Sequence, residues 1–129
     1  MFGFVRVGAA NPNLKVANCE YNSREIIGII KKAESLGIQI LVFPELSITG
    51  SSCGDLFYQG TLIREAEAQL AKIAQSTAEA DIAVIVGAPV FAEGKLFSCG
   101  IVISKGRILG AVPKTYLNNR GPQSDGRWF

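Results

Sequence analysis

Two charged side chains stand where chemistry could gather. Glu45 follows the apolar run 38–43 through Pro44, and Lys114 follows an apolar run ending at Val112 through Pro113. In open α/β sheets, ligands and reacting groups collect at the carboxyl ends of strands. Glu45 therefore has the position of a general base, and Lys114 that of a cation stabilising an oxyanion. Taken singly, neither demands a function: a solvated loop glutamate and a surface lysine account for them as well. The 129 residues include no histidine, which removes Ser-His-Asp and Cys-His arrangements and His-ligated zinc. Acid–base work then falls to Glu, Asp, Lys, Tyr or Cys. Cys19, Cys53 and Cys99 are odd in number and widely spaced, which suits free thiols in a reducing compartment better than a disulfide framework or a metal cluster. No metal site is assigned.

The elements that must hold these groups read as α/β. Residues 2–10 form an apolar opening strand, ended by Asn11-Pro12-Asn13. Asn22 and Glu25 have capping-box spacing, and Ile26, Ile30, Ala33 and Leu36 recur at helical intervals before Gly37. Residues 38–43 are short and apolar, as expected of a strand covered on both faces, and Pro44 stops it. After a loop over 49–54, with Asp55 a candidate cap for a short turn, Leu62, Ala66, Leu70 and Ile73 mark a second helix. Residues 82–88 repeat the buried-strand composition, completing strand, helix, strand, helix, strand. Beyond them, Val90-Phe91, 96–103 and 107–112 read as a meander with turns at Glu93-Gly94 and Lys105-Gly106, so the sheet becomes mixed. The stretch 118–126 is polar, rich in Gly, Pro and Asn, and reads as a long loop.

Composition narrows the classes. With 48% hydrophobic and 19% charged residues, the chain reads as one ordinary soluble domain or a piece of a larger one. Its formal charge is only +2 and the basic residues are scattered, so no nucleic-acid partner is expected. No apolar run approaches the roughly 18–20 residues that span a bilayer. The start lacks the pattern of a secretory signal, and a cytoplasmic location is expected.

Phe43-Pro44-Glu45-Leu46-Ser47-Ile48-Thr49-Gly50 and Gly110-Ala111-Val112-Pro113-Lys114-Thr115-Tyr116-Leu117 resemble the glutamate and lysine signatures of the nitrilase superfamily. Cys53-Gly54-Asp55-Leu56-Phe57 narrows the likeness to the glutaminase domain of bacterial glutamine-dependent NAD synthetases, and agreement extends along Gly87-Ala88-Pro89-Val90. The resemblance implies that residues 1–129 are the N-terminal part of a nitrilase-type αββα sandwich with a mixed sheet. It implies a glutamate, lysine and cysteine that hydrolyse the amide of glutamine through a thioester, with Glu45 as base and Lys114 as oxyanion stabiliser. The ammonia serves a separate synthetase domain, absent here, that uses ATP, Mg and deamido-NAD; the hydrolase domain itself takes no cofactor. Homo-oligomers through nitrilase-type interfaces also follow.

The family's nucleophile belongs to a C-E-D-type motif further along than Phe129, and Cys19, Cys53 and Cys99 lack that context, so the chain alone is expected to be inactive. The family has Tyr where Ser51 stands, Pro where Asn118 stands, and Y-R-E-F-Y-E where residues 120–125 stand. Ser51, Arg120 and Gln123 are thus candidate substrate contacts with altered character, and Asp125 is a candidate auxiliary carboxylate one methylene shorter than the family's glutamate. Two other readings stay open: a non-catalytic nitrilase-like interaction module, and part of another nitrilase-superfamily amidase.

Overall fold

A computed structural model describes residues 3–115 and residue 129. The five strands lie side by side in the order in which they occur: β1 Val7–Ala9, β2 Ile40–Val42, β3 Ala83–Ala92, β4 Lys95–Ser104 and β5 Arg107–Pro113. The first three are parallel, and β3, β4 and β5 are antiparallel to one another in turn. The sheet is mixed, as the change from helical to hairpin connections predicts. Two helices, α1 Cys19–Ser35 and α2 Gly60–Ser76, make the parallel crossovers. Both crossovers step one strand in the same direction, so a common hand places both helices on one face, where α1 and α2 pack together.

That face holds the core. Ile26 and Ile30 of α1, Ala66 and Ile73 of α2, and Val84, Val86 and Ile103 of the sheet are all almost fully buried. The other face carries no helix among the described residues. Alternation along β1 and β2 leaves Val7 65%, Ile40 37% and Val42 40% exposed, and the edge strand β5 is exposed throughout, Val112 at 64%. The expectation of a β2 strand covered on both faces therefore fails: Leu41 is buried, while its neighbours face outward. A hydrophobic run reports the apolar demand of both faces and is silent on whether a cover is present.

Boundaries differ in instructive ways. Helix α1 starts a turn before the expected Asn22–Glu25 box: Asn18 is the cap, its Oδ1 accepting from Tyr21 N at 3.1 Å. Gly37 ends it in the left-handed region, with Gly37 N bonded to Glu34 O and Ile38 N to Ala33 O. Leu36 belongs to the exposed helix end rather than the buried stripe. The short turn expected at Asp55 is a 3-10 helix, Gly54–Tyr58, with Cys53 at the cap position and Asp55 in its first turn. Val90 and Phe91 continue β3 through Pro89 instead of starting a new strand. Glu93-Gly94 and Lys105-Gly106 turn the two hairpins with positive φ at both central residues, the geometry of tight hairpin turns.

Candidate active site

The direction of the strands brings Glu45 and Lys114 to one edge. β5 is antiparallel to β4, which is antiparallel to β3, so β5 runs the same way as β2. Glu45 lies just past the carboxyl end of β2, and Lys114 just past that of β5. Lys114 Nζ stands 3.1 Å from Glu45 Oε1 and 3.0 Å from Oε2. The Lys114 and Glu45 side chains remain 32% and 43% exposed. At that exposure an ion pair contributes at most about 1 kcal/mol, so the contact is significant as an arrangement more than as a stabiliser.

The loop carrying Glu45 is pressed onto β3. Phe43 N donates to Ile85 O at 2.8 Å and Ile48 N to Gly87 O at 3.1 Å. Ser47 Oγ accepts from Gly87 N at 3.1 Å and donates to Gly87 O at 3.4 Å. Between these anchors Leu46 turns through the left-handed region, φ 53°. The fit requires glycine at position 87, because a Cβ there would meet the main chain of residues 44–46. On the other side, Asn22 ties the loop to α1. Its Nδ2 donates to Ile48 O and Lys15 O at 2.8 Å each, and its Oδ1 accepts from Lys15 N at 2.7 Å. Ser98 of β4 completes the cluster, its Oγ donating to Glu45 Oε1 at 3.2 Å.

Sequence reasoning did not single out Gly87, Asn22 or Ser98 for the site, although traces of each are in the sequence. A glycine within an apolar strand marks a close backbone approach. Asn22 falls on the same helical stripe as Ile26 and Ile30, where a polar side chain needs buried partners.

A cavity of about 330 Å³ opens beside the cluster, bordered by Glu45, Gly87, Ser98, Val112 and Lys114 among others. Cys99 borders it too, but alternation along β4 turns its side chain to the helix-covered face beside Ala88, away from Ser98. Ser51 is exposed in the turn after Gly50 and does not line this cavity. Arg120, Gln123 and Asp125 lie outside the described residues. A second depression of about 420 Å³, between Phe57, Tyr58, Arg64 and Phe91, holds none of the Glu45 cluster.

The three thiols are buried and free. Burial, reinforced by the nearby Glu65 carboxylate, pushes the Cys19 thiol up from 9.0 to about 11, and burial raises Cys53 and Cys99 as well. A thiol so placed is a poor source of thiolate at neutral pH. The same shift has a stability consequence. The unfolded chain loses the Cys19 proton near pH 9 and the folded chain only near 11, so the unfolded state binds fewer protons in between. Stability of order 2 kcal/mol should be present below pH 9 and lost between about pH 9 and 11. Urea titrations across that range should show the slope, and Cys19→Ala should flatten it.

The carbon-nitrogen hydrolase family profile matches residues 5–128. The chain belongs to the carbon-nitrogen hydrolase family. Among curated relatives it is 31% identical over 125 residues to the glutamine-dependent NAD(+) synthetase of Thermotoga maritima, covering 97% of this chain and 22% of that protein. It is 30% identical over 115 residues to that of Mycobacterium tuberculosis, covering 89% and 17%. The crystal structure of a glutamine-dependent NAD(+) synthetase from Cytophaga hutchinsonii matches with a TM-score of 0.91 at 33% identity, over 97% of this chain and 21% of that one. An amidase from Nesterenkonia sp. shares the fold, with a TM-score of 0.78 at 19% identity over 97% of this chain and 47% of the amidase. The chain thus spans about a fifth of the length of the synthetases it matches.

Proposed function

We propose that this chain supplies the acid–base half of a glutaminase. The observation that carries the reading is the Glu45–Lys114 pair, held at the carboxyl edge of the sheet in a carbon-nitrogen hydrolase whose relatives are glutamine-dependent NAD(+) synthetases. In the proposed cycle Glu45 accepts the proton of a cysteine thiol, and the thiolate adds to the side-chain amide carbon of glutamine. Lys114 offsets the charge on the tetrahedral oxygen. Glu45 then returns the proton to the departing nitrogen, ammonia leaves, and water hydrolyses the thioester to glutamate. The nucleophile is assigned to a C-E-D-type motif beyond Phe129, since Cys19, Cys53 and Cys99 have raised thiols facing the core.

In this reading residues 1–129 are the N-terminal part of the hydrolase domain, and ATP, Mg and deamido-NAD belong to a synthetase domain that consumes the ammonia. Arg120 and Gln123 are assigned to the glutamine side of the pocket and Asp125 to an auxiliary carboxylate, whereas Ser51, exposed outside the Glu45 cavity, is not. A cytoplasmic setting is supported by three unpaired cysteines; among the described residues no helix is long and apolar enough to cross a membrane.

Glutamine hydrolysis tests the proposal. The isolated chain should release no ammonia above background. The same chain continued in frame through a C-E-D-type cysteine should release it, with at least a 100-fold loss in Glu45→Gln, on the order expected for removing a general base. Turnover by the isolated chain that vanishes in Glu45→Gln would refute the division of labour. Oligomer formation is part of the proposal, supported by the exposed Val7, Ile40, Val42 and Val112. Sedimentation velocity should show association growing with concentration, and a monomer at every concentration would count against it.

A further inference from the structure

We propose that Ser98 is the positioning residue of this site, holding Glu45 with its side chain and Lys114 with its main chain. Ser98 is 3% exposed. Its carbonyl accepts from Lys114 N at 2.8 Å, while its Oγ donates to Glu45 Oε1 at 3.2 Å. That carbonyl points toward β5, away from Pro89, its cross-strand partner on β3, so the pair with Pro89 is one that exchanges no main-chain bonds. One residue thereby joins two residues that stand 69 positions apart. Its two bonds come from atoms separated by a short, stiff frame on a central strand.

Lysine alone would hold Glu45 poorly. Its ammonium is a point charge on a four-carbon stem and fixes a carboxylate's distance better than its plane. The Glu45 side chain is also 43% exposed, so water competes for both oxygens. A hydroxyl rooted in β4 supplies the directional contact that the ion pair lacks. It also makes the two oxygens unequal. Among the described residues Oε1 receives both Ser98 Oγ and Lys114 Nζ, whereas Oε2 receives Lys114 Nζ alone. Oε2 is left with the greater accepting capacity, which makes it the oxygen toward which a thiol proton would travel.

The inference about protons rests on the proposed glutaminase reading, but the positioning itself can be measured in the 129-residue chain without any turnover. Side-chain relaxation by NMR at the Glu45 methylenes reports how firmly the carboxylate is held. In Ser98→Ala the Glu45 order parameter should fall to flexible values, below about 0.6, while the Lys114 amide, bonded to the Ser98 main chain, keeps its protection against hydrogen exchange. Ser98→Thr, which retains the hydroxyl, should keep Glu45 ordered. Cys99→Ala, which removes a buried atom from the opposite face of β4, should leave Glu45 as it is. Unchanged Glu45 order in Ser98→Ala would overturn the proposal, as would equal loosening in Cys99→Ala or loosening in Ser98→Thr. A chain without glutaminase activity would leave this result standing.

Discussion

Replacing Gly87 by alanine should dislodge Glu45 and lower stability by about 3 kcal/mol, at the upper end of what overpacking causes. An added Cβ would lie 2.5 Å from Pro44 O and 2.8 Å from the Glu45 carbonyl carbon, and closer still to Leu46 N. These are main-chain atoms, so no rotamer change relieves the collision. The loop is also held down by Phe43 N to Ile85 O, Ile48 N to Gly87 O and the paired bonds of Ser47 to Gly87. Either those bonds break or β3 moves away from them. Urea unfolding should show a lower midpoint, and the Glu45–Lys114 contact should disappear from the spectra of whatever fraction remains folded. A variant with wild-type stability and an intact contact would mean that the loop does not approach β3 as described.

Asn22→Leu should be nearly as damaging, with a loss of about 2–4 kcal/mol. The side chain is fully buried and uses three bonds to the main chain, two at Lys15 and one at Ile48 O. Leucine has a comparable size and no partner to offer. Ile48 itself is completely buried, so its carbonyl would lose the Asn22 bond with little water to replace it, and an unsatisfied buried group costs about 1–3 kcal/mol. The Lys15 groups lie nearer solvent, which limits the total. Beyond stability, the expected signature is local: faster hydrogen exchange over residues 46–50, whose only described link to the start of α1 besides this one is Ala17 N to Thr49 O. Uniform loosening of the whole chain would argue that Asn22 serves the core and not the loop.

The local physics of this chain was largely legible in its sequence. The stripes of α1 and α2, the stop at Pro44, and the turns at Glu93-Gly94 and Lys105-Gly106 all depend on neighbours within a few positions, and they stand close to where periodicity and turn chemistry put them. Glu45 and Lys114 were recognisable because proline follows an apolar run before each of them. What stayed hidden depends on partners far along the chain. Ser98 is one polar residue in an apolar strand until the register of β4 against β5 sets its carbonyl on Lys114. Asn22 imitates a helix cap, since Asn followed by Glu at the third position is the usual spacing; only the position of the 46–50 loop shows that it is an internal bracket. The exposed side of β2 escaped for a related reason. Ile40 and Val42 have the composition of covered residues, and composition says nothing of where the cover comes from.

The order of the strands along the sheet bears on how the site is assembled in time. β3, β4 and β5 are joined by tight two-residue turns, so they can zip together through contacts close in sequence, on the microsecond scale of hairpin formation. Glu45 arrives by another route. Its strand pairs with β3 in parallel, which requires the long excursion through α2 to close first, and such non-local closure is the slow step in mixed sheets. Ser98 and Lys114 would therefore be in place on a formed hairpin before Glu45 docks against Gly87. The ion pair then marks the docking of β2 on β3, and its appearance in a refolding experiment dates that step.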